Sequence, residues 1–250
     1  MNEVTVSKNE VVGVSDNEVA LVGDGSWGSE GVDSTDILIP KLLLMQGQST
    51  FVAEGRASVG EIVNSVTGEI LGGKTKGVDV VPFFSTKSWI YMEKRGEKYE
   101  YVRAEPYTAA NADRAIDGIS PDGTAFRYDR SLNFYALVAA EATNADALPI
   151  LLSFRRTSYT AGKKIATFFK QCEMLKLPPA SRVLTLTSSS QKNDLGTFAV
   201  FEVASGRATT SAEVSGAFRW YSAIKKGMHK VDDSDLKEQV SETVDSTTPF

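Results

Sequence analysis

Residues 78–103 read VDVVPFFSTKSWIYMEKRGEKYEYVR. A strand-rich run of this length, broken once by the turn KRGEK (94–98), commits the chain to a fold built on a long antiparallel hairpin. Alternation along the first strand separates two faces. One carries Phe83, Ser85, Lys87, Trp89 and Tyr91. The other carries Val80, Pro82, Phe84, Thr86, Ser88, Ile90 and Met92, the conventional core face. The returning strand, 99–103, is expected to set Tyr99, Tyr101 and Arg103 on one face, and the turn adds Lys94, Arg95 and Lys98.

Strand signals recur on both sides of this hairpin. GEIVNSVTGEIL (60–71) reads as two short strands about Thr67-Gly68. Residues 105–124 hold Pro, Gly, Asn and Asp and read as a loop. AFRYDR (125–130) is a short strand, and LNFYALVAAEA (132–142) and LPILLSF (148–154) are apolar enough to be buried ones. RVLTLTSS (182–189) and GTFAVFEVA (196–204) add two more. Between these groups lies a helix that Ser158 or Thr160 can cap. Its apolar stripe is Ile165, Phe168, Phe169, Cys172 and Leu175, and Pro178-Pro179 ends it. A last helix starts at Thr210, with Glu213 completing a capping box. It turns Val214, Ala217, Phe218, Tyr221 and Ile224 inward, carries Lys225 and Lys226 in its last turn, and stops at Gly227. This order implies an α+β fold, mainly antiparallel β. An elaborated OB-like barrel, with one helix inserted between strands and another at the C-terminal side, is compatible with it.

Charge divides the chain further. Residues 1–36 carry eight acids and one base, a net of −7, and residues 231–250 carry six acids and one base, a net of −5. Residues 37–230 between them hold 18 acids and 25 bases, a net of +7. The expected organisation is therefore a disordered acidic segment over 1–36, a β-rich domain over 37–230, and a disordered acidic tail over 231–250. The first residues, MNEVTVSKNE, lack the basic and apolar regions of a secretory signal, and no apolar run reaches membrane-spanning length. A single cysteine, Cys172, fits a reducing cytoplasm. The single histidine, His229, cannot complete a metal cluster with it, and no cofactor is expected.

One motif demands attention on formal grounds. Gly68 to Thr75, GEILGGKT, satisfies the P-loop pattern G-x-x-x-x-G-K-[ST]. That chemistry needs a helix beginning at the Lys-Thr pair. Here KTKGVDVVPFF follows, which reads as loop into strand. A histidine-based nucleophilic site would have to use His229, beside the acidic tail. Glu61, Glu69, Glu141 and Asp146 read as surface charges. No enzymatic activity is expected.

Aromatic and basic residues interleaved on strands suit single-stranded nucleic acid. Bases stack on rings at ~1–3 kcal/mol each while Lys and Arg neutralise phosphates. Trp89, Tyr91 and Tyr101 are the stacking candidates of the hairpin, with Lys87, Lys94, Arg95 and Lys98 as its cations. A second patch, FRRTSYTAGKK (154–164), contributes Arg155, Arg156, Tyr159, Lys163 and Lys164, and Lys170 follows on the outward helix face. No acid lies between Asp146 and Glu173. The alternative is that the rings are core and the charges protect strand edges and a solvated helix face.

The segment VDDSDLKEQVSETVDSTTPF (231–250) offers Asp245, Pro249 and Phe250 as a peptide ligand for partner proteins. Pro249-Phe250, preceded by Asp232, Asp233, Asp235, Glu238, Glu242 and Asp245, resembles the acidic Pro-Phe tail of bacterial single-stranded DNA-binding proteins. T7-like phage replication proteins also carry an acidic tail with a terminal Phe. The neutral Ser246-Thr247-Thr248 departs from the bacterial pattern. The stretches DILIPKLLLMQGQS, GEIVNSVTGEILGG, LSFRRTSYTAGKKIATFF and MLKLPP resemble a family associated with phage genomes. The resemblance implies a phage-type single-stranded DNA-binding protein in the bacterial host cytoplasm. It would protect DNA during replication or recombination, recruit partner enzymes through its tail, and be compatible with a homo-oligomer. A strand-annealing mediator, an adaptor or inhibitor without a nucleic-acid role, and an NTPase using the P-loop match remain the alternatives.

Overall fold

The computed structural model describes residues 38–193 and 196–225. The expected acidic segments, with Asp245, Pro249 and Phe250, lie outside the described residues.

Two long strands carry the architecture. β4 (Val78–Arg95) and β7 (Ala125–Val138) run antiparallel, in register from Val80 opposite Val138 to Glu93 opposite Phe126. Different neighbours flank the two ends of this pair. Toward Val78, β9 (Arg182–Asn193) pairs with β4, β10 (Gly196–Ala208) pairs with β9, and β8 (Ile150–Phe154) pairs with β7. Toward Arg95, β5 (Lys98–Pro106) pairs with β4 and β6 (Asp117–Ile119) with β7. The seven-stranded sheet therefore has a broad lobe and a narrow lobe that share β4 and β7. A second antiparallel sheet of three short strands, β1 (Leu42–Leu44), β2 (Ile62–Asn64) and β3 (Ile70–Gly72), completes the β structure. The helices are α1 (Thr50–Ala53), α2 (Tyr159–Met174) and α3 (Ser211–Lys225).

The α+β, mainly antiparallel class agrees with the sequence reading. The sheets do not close: the main one ends at β10 and β6. The small sheet bridges the broad lobe without completing a ladder. On one side Leu151 N–H donates to Pro40 O at 2.8 Å, and on the other Ser188 N–H donates to Gly73 O at 3.3 Å. Gln46 then stands in for a missing strand. Its side-chain amide donates to Ala199 O and accepts from Ala199 N–H, both at 3.0 Å, which satisfies backbone groups on β10. Three-residue strands supply too few ladder bonds to close the enclosure.

Two cores sit on opposite faces of the broad lobe. One joins Phe134, Leu152 and Phe154 of the main sheet to Ile62 of the small sheet and Ile165 of α2. The other joins Val81, Phe83, Tyr135 and Leu137 to Ala217 and Ile224 of α3. Each such side chain contributes about 1.5–3 kcal/mol by leaving water.

Several local expectations change. Residues 125–130 and 132–138 form one strand, because Ser131 is buried and paired rather than a break. The strand stops at Val138, and turns over 139–147 replace its expected end. The expected loop 105–124 contains β6 and a 3-10 turn at Ala109–Asn111. α2 is entered through a 3-10 turn, Arg156–Ser158, with no side-chain cap from Ser158. Leu175 falls beyond the last turn and is exposed, so it leaves the stripe. The capping box of α3 forms as expected, with Thr210 N–H donating to Glu213 Oε2 at 2.7 Å and Glu213 N–H to Thr210 Oγ1 at 3.3 Å. Arg207 also grips Glu213, through Nη2 at 2.6 Å. That hydrogen bond, against the opposing effect of burial, holds the Glu213 carboxyl at about 2 rather than 4.5. Phe218, expected inside, is 65 % exposed.

Candidate functional site

The narrow lobe holds the aromatic and cationic residues together. Strand alternation and register set Trp89 opposite Arg130 and Glu105, and Tyr91 opposite Tyr128 and Arg103. Phe126, two residues before Tyr128, joins the same face. The rings form a continuous row. Tyr107 lies 5.5 Å from Trp89, Trp89 lies 6.1 Å from Tyr128, and Tyr128 lies 4.8 Å from Tyr91 and 5.8 Å from Phe126.

Cations cover this row. The Arg103 guanidinium stands 4.2 Å above Tyr91, Arg114 stands 4.2 Å above Tyr128, and Arg130 stands 5.0 Å above Trp89. Lys87 Nζ is 5.6 Å from the Tyr107 ring. Each contact contributes about 0.5–1 kcal/mol where exposed and ~2 kcal/mol where desolvated, and it restrains a side chain that would otherwise wander. Glu105 ties two of the four together, accepting from Arg103 Nε at 2.8 Å and Arg114 Nη1 at 2.6 Å. Burial pushes the Glu105 carboxyl up, but the bonds from Arg114 and Arg103 outweigh it and hold it below the usual range. Lys87 and Arg130 are exposed and form no ion pair with a described carboxylate.

The segment after β5 roofs the row. Asn111 Oδ1 accepts from Trp89 Nε1 at 3.2 Å and from Thr108 N–H at 2.8 Å, while Asn111 Nδ2 donates to Pro106 O at 2.9 Å. Trp89 is consequently 0 % exposed, and Tyr91 is also buried. Neither is available as a stacking platform. The rings sequence reasoning assigned to bases instead hold arginines.

Two bulges explain the other reassignments. The pairing of β4 with β5 skips Val102, so Arg103 faces Tyr91 while Tyr101 faces Met92 on the opposite side. Tyr99 and Tyr101 pack there against Ile90 and Met92. The pairing of β4 with β7 skips Phe83, which turns its ring into the core beneath α3 and off the Lys87–Trp89–Tyr91 face. On that opposite side, buried Asp129 accepts from Arg127 Nε at 2.9 Å and binds Arg156, whose Nη2 reaches Met92 Sδ at 3.3 Å. Arg156 is a strut between the two lobes.

The family model for the Pam3 phage gp34-like protein matches residues 12–233. The chain belongs to the Pam3 phage gp34-like family. No curated protein and no solved structure matches it.

Elsewhere in this gp34-like chain the expected basic residues are dispersed. Lys94 and Arg95 are exposed at the β4–β5 turn, with Lys98 beside them half-buried, and Arg95 pairs with Glu100 at 3.4 Å. Lys163 and Lys170 face outward on α2 as their spacing predicted. Lys163 lies over the half-buried Tyr159 ring at 5.4 Å, Lys164 bonds Glu202 at 3.0 Å, and Lys170 bonds Glu173 at 2.6 Å. Arg155 is half-buried. Two of the cations over 154–170 are thus engaged by carboxylates, and Arg156 of the same stretch reaches β4 at Met92. A groove of about 320 Å³ does cut the side of the sheet opposite the ring row, and its lining includes Lys41, Lys87, Ser88, Asn133 and Ser153. The P-loop match ends in a turn where Gly73 N–H donates to Lys76 O at 2.7 Å. β4 begins at Val78, so no helix follows Lys74-Thr75.

Sequence reasoning missed Tyr107, Arg114, Phe126, Tyr128 and Arg130. The period-two spacing of Phe126, Tyr128 and Arg130 within AFRYDR carried a signal. Tyr107 and Arg114 lie in the connecting segment, where no periodicity marks them.

Proposed function

We propose that this phage-family protein binds single-stranded DNA without sequence preference, through the ring-backed cations of the narrow lobe. The observation that carries this reading is the pair Lys87 and Arg130, exposed, seated on Tyr107 and Trp89, and without a carboxylate partner among the described residues. A guanidinium over a ring can offer its outer face to a base and its N–H groups to phosphate, and of those of Arg130, Nη2 also donates to Ala112 O at 3.4 Å. The rings restrain the cations, and the cations meet the strand. Exposed Lys94 and Lys163 extend the positive surface. The role is binding rather than catalysis, with the carboxylates Glu105 and Asp129 serving to hold arginines. The protein acts in the host cytoplasm, and the segment containing Asp245, Pro249 and Phe250 recruits replication or recombination proteins.

Lys87→Glu combined with Arg130→Glu tests the site. Both positions are exposed, so the variant should stay folded with a melting temperature lowered only by the lost ring contacts, while affinity for labelled oligo-dT at low salt falls by tenfold or more, about 1.4 kcal/mol. Unchanged affinity in the folded double variant removes this face from the interface.

A further inference from the structure

The other notable surface is apolar and lies far from the ring row in composition. α3, the Pro178-Pro179 turn, the bulged part of β4 and Phe169 of α2 enclose a groove of about 450 Å³. Its walls include Phe84, Phe169, Pro179, Val214, Phe218 and Tyr221, and Ser85 supplies a hydroxyl at an exposed position. Met174, Leu175 and Leu177, on the segment leading to Pro178, are exposed as well. An apolar surface of this kind rimmed by polar groups marks a binding site. Lys170, Lys176, Arg219 and Lys225 are exposed on the elements that form it, with Glu173 beside Lys170 as the opposing charge.

We propose that Trp27, from the N-terminal segment of the same chain, docks in this groove. Reach permits it. The described residues begin at Leu38, and Ile39 packs in the same core cluster as Phe83 and Ala217, both of which line the groove. Twelve residues separate Trp27 from Ile39, which extends to about 40 Å. Chemistry favours it. An indole brings a large apolar area and one N–H that needs an acceptor, and the groove offers apolar walls with the Ser85 hydroxyl. The chain's other two tryptophans are already engaged, Trp89 Nε1 with Asn111 and Trp220 Nε1 with Ala147 O at 2.7 Å. Charge favours it too, since the segment carries a net −7 and the cations around the groove outnumber its acids. The Phe250 ring of the acidic tail carries no N–H for the Ser85 hydroxyl to accept, which favours the indole of Trp27 as occupant.

The test reads Trp27 fluorescence in the full chain, as the difference between wild type and Trp27→Phe, without DNA. Docking predicts blue-shifted emission and acrylamide quenching several-fold weaker than in a peptide of residues 12–36. Phe218→Glu, at an exposed wall position, should raise quenching to the peptide's level. Ser85→Arg repeats the test if Phe218→Glu lowers the melting temperature. Peptide-like quenching in the unaltered chain overturns the proposal, and so does protection that survives both groove variants. Protection that grows with protein concentration assigns the contact to a second copy and overturns the same-chain form. Because no DNA is present, these outcomes are independent of the DNA-binding reading.

Discussion

Arg130 stands over Trp89 on the face shared by β4 and β7, and the two side chains should respond differently to truncation. Trp89 is fully buried and donates to Asn111, so Trp89→Ala removes a packed ring and one of the two hydrogen bonds that Asn111 Oδ1 accepts. It should cost about 3–5 kcal/mol, measured by denaturant unfolding. Arg130→Ala at an exposed position should cost only about 0.5–2 kcal/mol, from its ring contacts with Trp89 and Tyr107, while weakening DNA binding. Glu213 provides a titration test. Its carboxyl is lowered by the hydrogen bond from Arg207 to about 2, so its contribution is complete above 4.5 and is lost as pH falls from there toward 2. Glu213→Gln should flatten the acid limb of the stability profile across that window and lower stability at neutral pH. A variant with the wild-type acid limb would show that the Arg207–Glu213 pair is energetically idle.

At the scale of elements, strand identity was legible because period-two patterning is local. The hairpin of β4 and β5 and the strands after α2 follow directly from it. Bulges were not legible, since skipping Phe83 or Val102 depends on what each partner strand buries. Those two residues decided which side of the sheet Phe83, Tyr101 and Arg103 occupy, and with them most of the site. Trp89 illustrates the same limit: its face was read correctly, but the roof built by Tyr107, Asn111 and Arg114 comes from a segment without pattern. The docking of α3 shows how close some contacts are. A Cβ at Gly216 would lie 2.2 Å from Ala142 O, a backbone atom that cannot swing away. Gly216→Ala should therefore destabilise the fold by about 1–3 kcal/mol despite its better helix propensity, as thermal unfolding would record. An unchanged or raised melting temperature would mean that α3 is not seated against the 139–147 turns.

For the whole molecule, the governing feature is the separation of charge. Residues 151–230 hold 13 bases and 4 acids, while the flanking segments carry the acids. Ion pairs such as Lys164–Glu202 and Lys170–Glu173 are exposed and individually worth little, so they temper this excess without removing it. A surface of this kind should bind a polyanion with strong dependence on salt. The most direct measurement is anisotropy titration of labelled oligo-dT at low and raised salt, with an equal-length duplex alongside. Binding to oligo-dT at low salt is expected, with a log–log slope of about −0.7 per phosphate neutralised and weaker binding to the duplex. No binding to oligo-dT at low salt would contradict the DNA-binding reading.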